Sequence, residues 1–212
     1  MSKLNKAPLV GLVAMVLASS AAFAKGPPAK PTAVTGSVAI DSAMLTASCA
    51  VSGSGFAADL EVLAQCDSAK ISQRYVCVAR YQAVTKVKGQ LTTIDVVEYS
   101  ADHQATVSSD LSASGTAMAN KRGNFSWSSS VLSGPSQDEV SAALVALNCD
   151  ALDRQETKEK GQTLPAADFS AELCEFSVSD AAVSASGLDA NSTAVAPANV
   201  AAGSAVNFCG GN

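Results

Sequence analysis

The chain has 212 residues, with 14 basic side chains against 19 acidic ones and a formal charge of −5. That balance argues against general nucleic-acid binding, which needs a net basic surface. Only 16% of residues are charged and 48% are hydrophobic, and the length suffices for one domain with a real core.

Residues 1–24 read as a signal peptide of bacterial type. Lys3 and Lys6 form a basic start, residues 9–17 are apolar, and Ala22-Phe23-Ala24 has the small-x-small form of a cleavage site. The apolar run is too short for a bilayer core of about 20 residues. The expected product is periplasmic or extracellular, with no membrane span after processing. Removing the two lysines leaves 12 basic residues against 19 acidic, a charge of −7. Residues 25–33 carry Pro27, Pro28 and Pro31 and read as an extended leader.

From residue 34 to 212 the chain reads as a single β-rich domain. Val38 and Ile40 share one parity. Leu45, Ala47, Cys49 and Val51 share the next, before Gly53-Ser54-Gly55 breaks the run. Residues 59–66 alternate again, with Leu60, Val62, Ala64 and Cys66 on the apolar side. A helix is the competing reading there, and the cysteine on the apolar parity favours a strand. Residues 66–72 read as a polar connection.

A long strand over residues 74–88 comes next. Tyr75, Cys77, Ala79, Tyr81, Ala83, Thr85 and Val87 lie on one face, the pattern of β-branched and aromatic residues at period two. Gly89-Gln90 is the expected turn, and residues 91–99 return. That hairpin sets Val87 near Thr92 and Tyr81 near Glu98. Residues 103–111 read as a separate, more polar strand and residues 112–116 as a loop. Residues 119–124 are a turn, and Phe125 and Trp127 then point into the core.

Ser136-Gln137-Asp138-Glu139 has the form of a capping box. Val140, Ala143, Leu144, Leu147 and Ala151 follow at helical spacing, so a helix is predicted over about residues 137–157. Its end, residues 154–160, is alternating charge of the kind that faces solvent. Residues 169–179 alternate once more, and residues 180–212 form a low-complexity segment.

Cys49, Cys66, Cys77, Cys149, Cys174 and Cys209 are an even set in an exported chain and imply three disulfides of open connectivity. Three of them precede residue 100 and three follow it, so full pairing requires an odd number of bridges between the halves. No pair has the short spacing of zinc sites, and no metal or cofactor is expected.

The catalytic candidates are weak. His103 is the single histidine, and Asp102 beside it diverges on a strand. No Gly-x-Ser-x-Gly elbow occurs. Asp150, Asp153 and Glu156 lie three apart on the predicted helix, the basis of a rival reading as a secreted carboxylate-dependent hydrolase. Arg74, Arg80, Lys86 and Lys88 share one parity of the long strand. They form a candidate basic face for an anionic envelope polymer or another surface protein. Residues 70–122 hold seven basic and four acidic side chains, and residues 136–189 hold three and eleven. The opposing expectation is that the acidic helix covers the basic face and neutralises it.

The sequence therefore predicts a mainly β fold, an antiparallel sandwich or open barrel of about eight strands with one amphipathic helix packed on it, stapled by disulfides. The expected function is that of a non-enzymatic exported binding or envelope protein. A further alternative is a subunit of a surface assembly that pairs through β-edges.

Overall fold

The computed structural model describes residues 33–129, 132–179, 181–188, 198–199 and 205–209. The expected signal peptide, the leader up to residue 32 and most of segment 180–212 lie outside the described residues.

The fold is mainly β. Its elements are β1 (Ala33–Asp41), β2 (Thr46–Ser54), β3 (Glu61–Val87), β4 (Gln90–Met118), β5 (Phe125–Ser128), β6 (Leu132–Ser133), α1 (Gln137–Leu147), a 3-10 turn (Cys149–Ala151), β7 (Thr157–Glu159), β8 (Gln162–Leu164), β9 (Ser170–Ser179), β10 (Ala182–Gly187), β11 (Ala198–Asn199) and β12 (Ala205–Asn207). The smaller sheet runs β1-β2-β5, with β6 pairing β2 beyond β5, so the two short strands share one edge. The larger sheet is organised on β3. One side of β3 pairs with β4 from Glu61↔Met118 to Val87↔Gln90. Its other side is shared in turn by β10, β9 and β8. Beyond these lie β11, β12 and β7.

β3 has 27 residues and β4 has 29. At about 3.3 Å per residue such a strand reaches roughly 90 Å, against a usual length of about 5–6 residues. The sequence pattern hides this continuity behind two irregularities. The expected connection at residues 66–72 is strand, because a bulge between Cys66 and Ala69 resets the parity. Val62, Ala64 and Cys66 are buried before it, Ala69 and Ile71 after it. A bulge inserts an extra residue, so the same face continues with the opposite parity. A second break, between Val76/Gln104 and Cys77/Ser100, leaves Ala101, Asp102 and His103 unpaired on β4. The two strands expected at residues 91–99 and 103–111 are thus one strand. The expected loop at 112–116 belongs to it as well.

The turn of the hairpin is Lys88-Gly89, with φ of 50° and 85°. Two residues at positive φ fit the tight connection whose twist matches that of the strands. The pairing is therefore Val87↔Gln90 and Tyr81↔Val96, two residues off the expected register. A shift of two keeps every side chain on its face, so Tyr81 still reaches Glu98 as a diagonal neighbour, with its hydroxyl 3.0 Å from the carboxylate.

The main core lies between the sheets. Val34, Cys49, Val51 and Phe125 of the smaller sheet meet Val62, Ile71, Phe176, Val178 and Val183 of the larger. Phe125 is buried as expected, and Trp127 packs half-buried beside it. The Cys49–Cys66 disulfide joins β2 to β3. A second cluster, Cys77, Ala79, Cys149, Ala167 and Phe169, lies further along β3 with Tyr81 and Leu147 against it.

The helix begins as predicted. The Ser136 hydroxyl accepts from the Glu139 amide, and the Glu139 carboxylate accepts from the Ser136 amide. Val140, Ala143, Leu144 and Leu147 form its half-buried side. It is shorter than predicted, because Asn148 turns left-handed at φ 50°, ψ 52° and its N–H donates to the Leu144 carbonyl. Asparagine tolerates that conformation and ends helices there. The expected solvent-facing helix end at 154–160 is instead a partly buried arginine followed by β7.

All six cysteines are paired, as Cys49–Cys66, Cys77–Cys149 and Cys174–Cys209. One bridge crosses between the halves, in keeping with the parity argument. Three disulfides belong to an oxidising environment.

Candidate functional site

The basic residues of β3 divide into two groups. Arg74 pairs with Glu175 at 3.0 Å, and Arg80 holds Glu172 through two bonds of 2.7 and 3.0 Å. The acids come from β9, the neighbouring strand, and not from the helix. Neutralisation is thus real at these two positions, but its source is a cross-strand pair. The hydrogen bond and charge of Glu172 raise the Arg80 pKa, and the bond from Arg80 holds the Glu172 carboxyl below its ordinary range. Lys86 and Lys88 sit past the end of β9, are exposed, and make no ion pair with a described residue. The four candidate residues thus share one parity of β3, with two neutralised across the strand and two left exposed.

The carboxylates of the hydrolase reading lose their common helix face. Asp150 lies in the 3-10 turn, and Asp153 and Glu156 follow it in chain of no regular secondary structure, all exposed. Arg154, between them, turns inward. Its guanidinium bonds Glu98 at 2.9 Å and lies 4.6 Å over the Tyr81 ring. Burial and then the bond to Glu98 raise the Tyr81 pKa. This cluster ties the segment after the helix to the β3–β4 hairpin and was not evident from sequence, where Arg154 reads as one charge in a solvated run.

His103 accepts or donates at 3.0 Å to the Ser100 hydroxyl within the β4 bulge. Asp102 is exposed and makes no bond to it. A shallow depression of about 400 Å³ lies on the smaller sheet, lined by Thr35, Ser37, Ser52, Ser126, Ser128 and Trp127 among others. Its lining offers hydroxyls and an indole, without a carboxylate, histidine or lysine. Among the described residues no three His, Cys, Asp or Glu side chains gather as a metal site. No helix among them is long and apolar enough to cross a membrane.

The most extensive chemical feature is backbone. Among the described residues β4 has one hydrogen-bonded neighbour, β3, along its whole length. None of its side chains is fully buried. The direction of its peptide groups follows from the ladder. Lys86 N–H donates to Gly161 on the β8 side, so even residues of β3 face away from β4 there and odd residues face it. Beyond the bulge, Ala119 N–H donates to the Leu60 carbonyl. Residues of β4 alternate between bonding the partner strand and facing out. Odd residues from 105 to 117 therefore bond β3, while Gln104, Thr106, Ser108, Asp110, Ser112, Ser114 and Thr116 turn their N–H and C=O outward.

No protein-family model matches this chain, and neither the curated proteins nor the solved structures contain a significant match to it.

Proposed function

We propose that the chain is exported by its signal peptide to the periplasm or beyond the cell and works there as a non-enzymatic subunit of a surface assembly, whose neighbours add a strand along β4. The observation that carries this reading is the 29-residue β4, which is paired on a single side among the described residues. A row of outward N–H and C=O groups is a template for strand addition. Lysine and proline are two of the devices that keep an edge unpaired. Residues 90–118 contain neither, and no arginine.

Their charges select the partner. Asp95, Glu98, Asp102 and Asp110 make the middle of β4 acidic, so two β4 edges set together there bring like charges close. β1 is a second edge, paired among the described residues with β2 alone and carrying one acid, Asp41. Pairing of β4 with β1 of the next copy is head-to-tail, and such a contact propagates unless its rotation closes.

The test is sedimentation of the mature, oxidised protein over a range of concentration. Growth in mass with concentration is expected for the natural sequence. Thr106→Pro with Ser114→Pro removes two outward donors without touching the β3 ladder, and the product should remain monomeric with an unchanged circular dichroism spectrum. A natural protein that stays monomeric throughout, or a proline variant that assembles equally well, overturns the reading.

A further inference from the structure

We infer that the far end of the β3–β4 hairpin docks on an anionic lipid bilayer. Four strands meet there, in the order β4, β3, β8, β7. They end in two adjacent turns of the same sequence, Lys88-Gly89 and Lys160-Gly161, joined by the Lys86 N–H to Gly161 bond of 3.0 Å. A Cβ placed on either glycine would meet nothing within 4 Å. Both turns therefore project clear of the rest of the chain.

Two properties combine at this end. Residues 84–91 and 157–164 hold Lys86, Lys88, Lys158 and Lys160 against one acid, Glu159. All four lysines are exposed. Among them stand apolar side chains that no described residue covers: Val84 is 41% exposed, Val87 52% and Leu91 76%. The register sets Lys86 across from Leu91, and Val84 between Thr163 and Thr93, on one face. Lys158 lies across from Thr163 and extends that row.

A hydrated anionic polymer would satisfy the lysines and leave the apolar groups in water. A bilayer carrying anionic headgroups satisfies both, because the ammonium groups stay at the phosphate level while Val84 and Leu91, on the same face as Lys86, enter the acyl boundary. The inference is independent of strand addition along β4, since the outward peptides chosen for that test lie in the other half of the strand.

The experiment is co-sedimentation of the full mature protein with vesicles of phosphatidylcholine and phosphatidylglycerol, and with phosphatidylcholine alone. Binding to the anionic vesicles and little to the neutral ones is expected. Lys86→Gln with Lys88→Gln should weaken partitioning about 25-fold, at about fivefold for each lysine near a charged surface. Leu91→Ser should weaken it roughly tenfold. Lys121→Gln, at the turn beyond the other end of β4, should leave it unchanged, and the edge prolines should also leave it unchanged. Absence of binding to anionic vesicles overturns the inference. So does retention on dextran sulfate that matches vesicle binding and is indifferent to Leu91→Ser, because that outcome marks a polyanion site without a lipid component.

Discussion

The indole of Trp127 occupies the space that a side chain at position 115 would need. A Cβ on Gly115 would overlap the indole Nε1, with two further ring atoms at 2.9 and 3.2 Å. Glycine inside β4 is therefore a packing requirement at the point where β5 presses its aromatic residue on the opposite sheet.

Gly115→Ala should destabilise the protein by about 1–3 kcal/mol, the usual cost of forcing a group into a filled site. Trp127 is the single tryptophan, so its emission reports the displacement directly. A red shift in the native state, with an earlier midpoint in guanidinium, is the expected result.

Gly89→Ala provides the contrast. The position has φ 85° and open space around it, so only the left-handed backbone is penalised. The expected loss is about 1 kcal/mol. Lys88→Asn should recover a few tenths, because asparagine accepts the φ of 50° at that turn more readily than lysine does. Denaturant midpoints of the two variants check both signs.

The Cys77–Cys149 bridge spans 72 residues, against 17 for Cys49–Cys66. On loop-closure grounds the longer bridge contributes about 4 kcal/mol and the shorter about 3 kcal/mol. Replacing both partners of each bridge by serine should reproduce that ranking in urea. Loss of the longer one should also release α1, seen as faster amide exchange in residues 137–147.

Acid should weaken the fold through two carboxyls. The hydrogen bond from the Arg80 guanidinium holds the Glu172 carboxyl below its ordinary range, and hydrogen bonds from Ser136 do the same for Glu139. As pH falls through that range the unfolded chain takes up these protons before the folded one. The contribution is therefore complete above about pH 4.5 and is lost as pH falls through the lower folded values. Glu172→Gln with Glu139→Gln should flatten the acid side of a stability-against-pH curve and leave the neutral region lower but level.

Much of the fold was legible because its side chains alternate. The parity of Cys49, Cys66 and Cys77 located them in strands, and the capping box located Ser136 and the start of α1. The strand lengths were not legible. Unpaired residues 101–103 and the shift after Cys66 both reverse parity, and a reversal on paper looks like the end of a strand. Gly115 read as a loop residue because its partner, Trp127, is distant in sequence. The end of the helix lay in the left-handed preference of Asn148, a signal overlooked beside the periodicity that follows. The basic face was read on the right strand, but Glu172 and Glu175 that neutralise half of it arrive from β9, and no spacing in the chain reveals such a pairing.

The β3–β4 hairpin also bears on how the molecule is made. Every pair from Val87↔Gln90 to Glu61↔Met118 is nested around one tight turn. Zippering from Lys88-Gly89 builds the longest element of the fold from successive neighbours, so each step closes only a short additional loop. The irregularities along it act as checkpoints: a strand sliding by one residue would leave both bulges out of step with the apolar face. Alignment of the central strands by this route does not wait for cysteines distant in sequence, such as Cys77 and Cys149, to find each other.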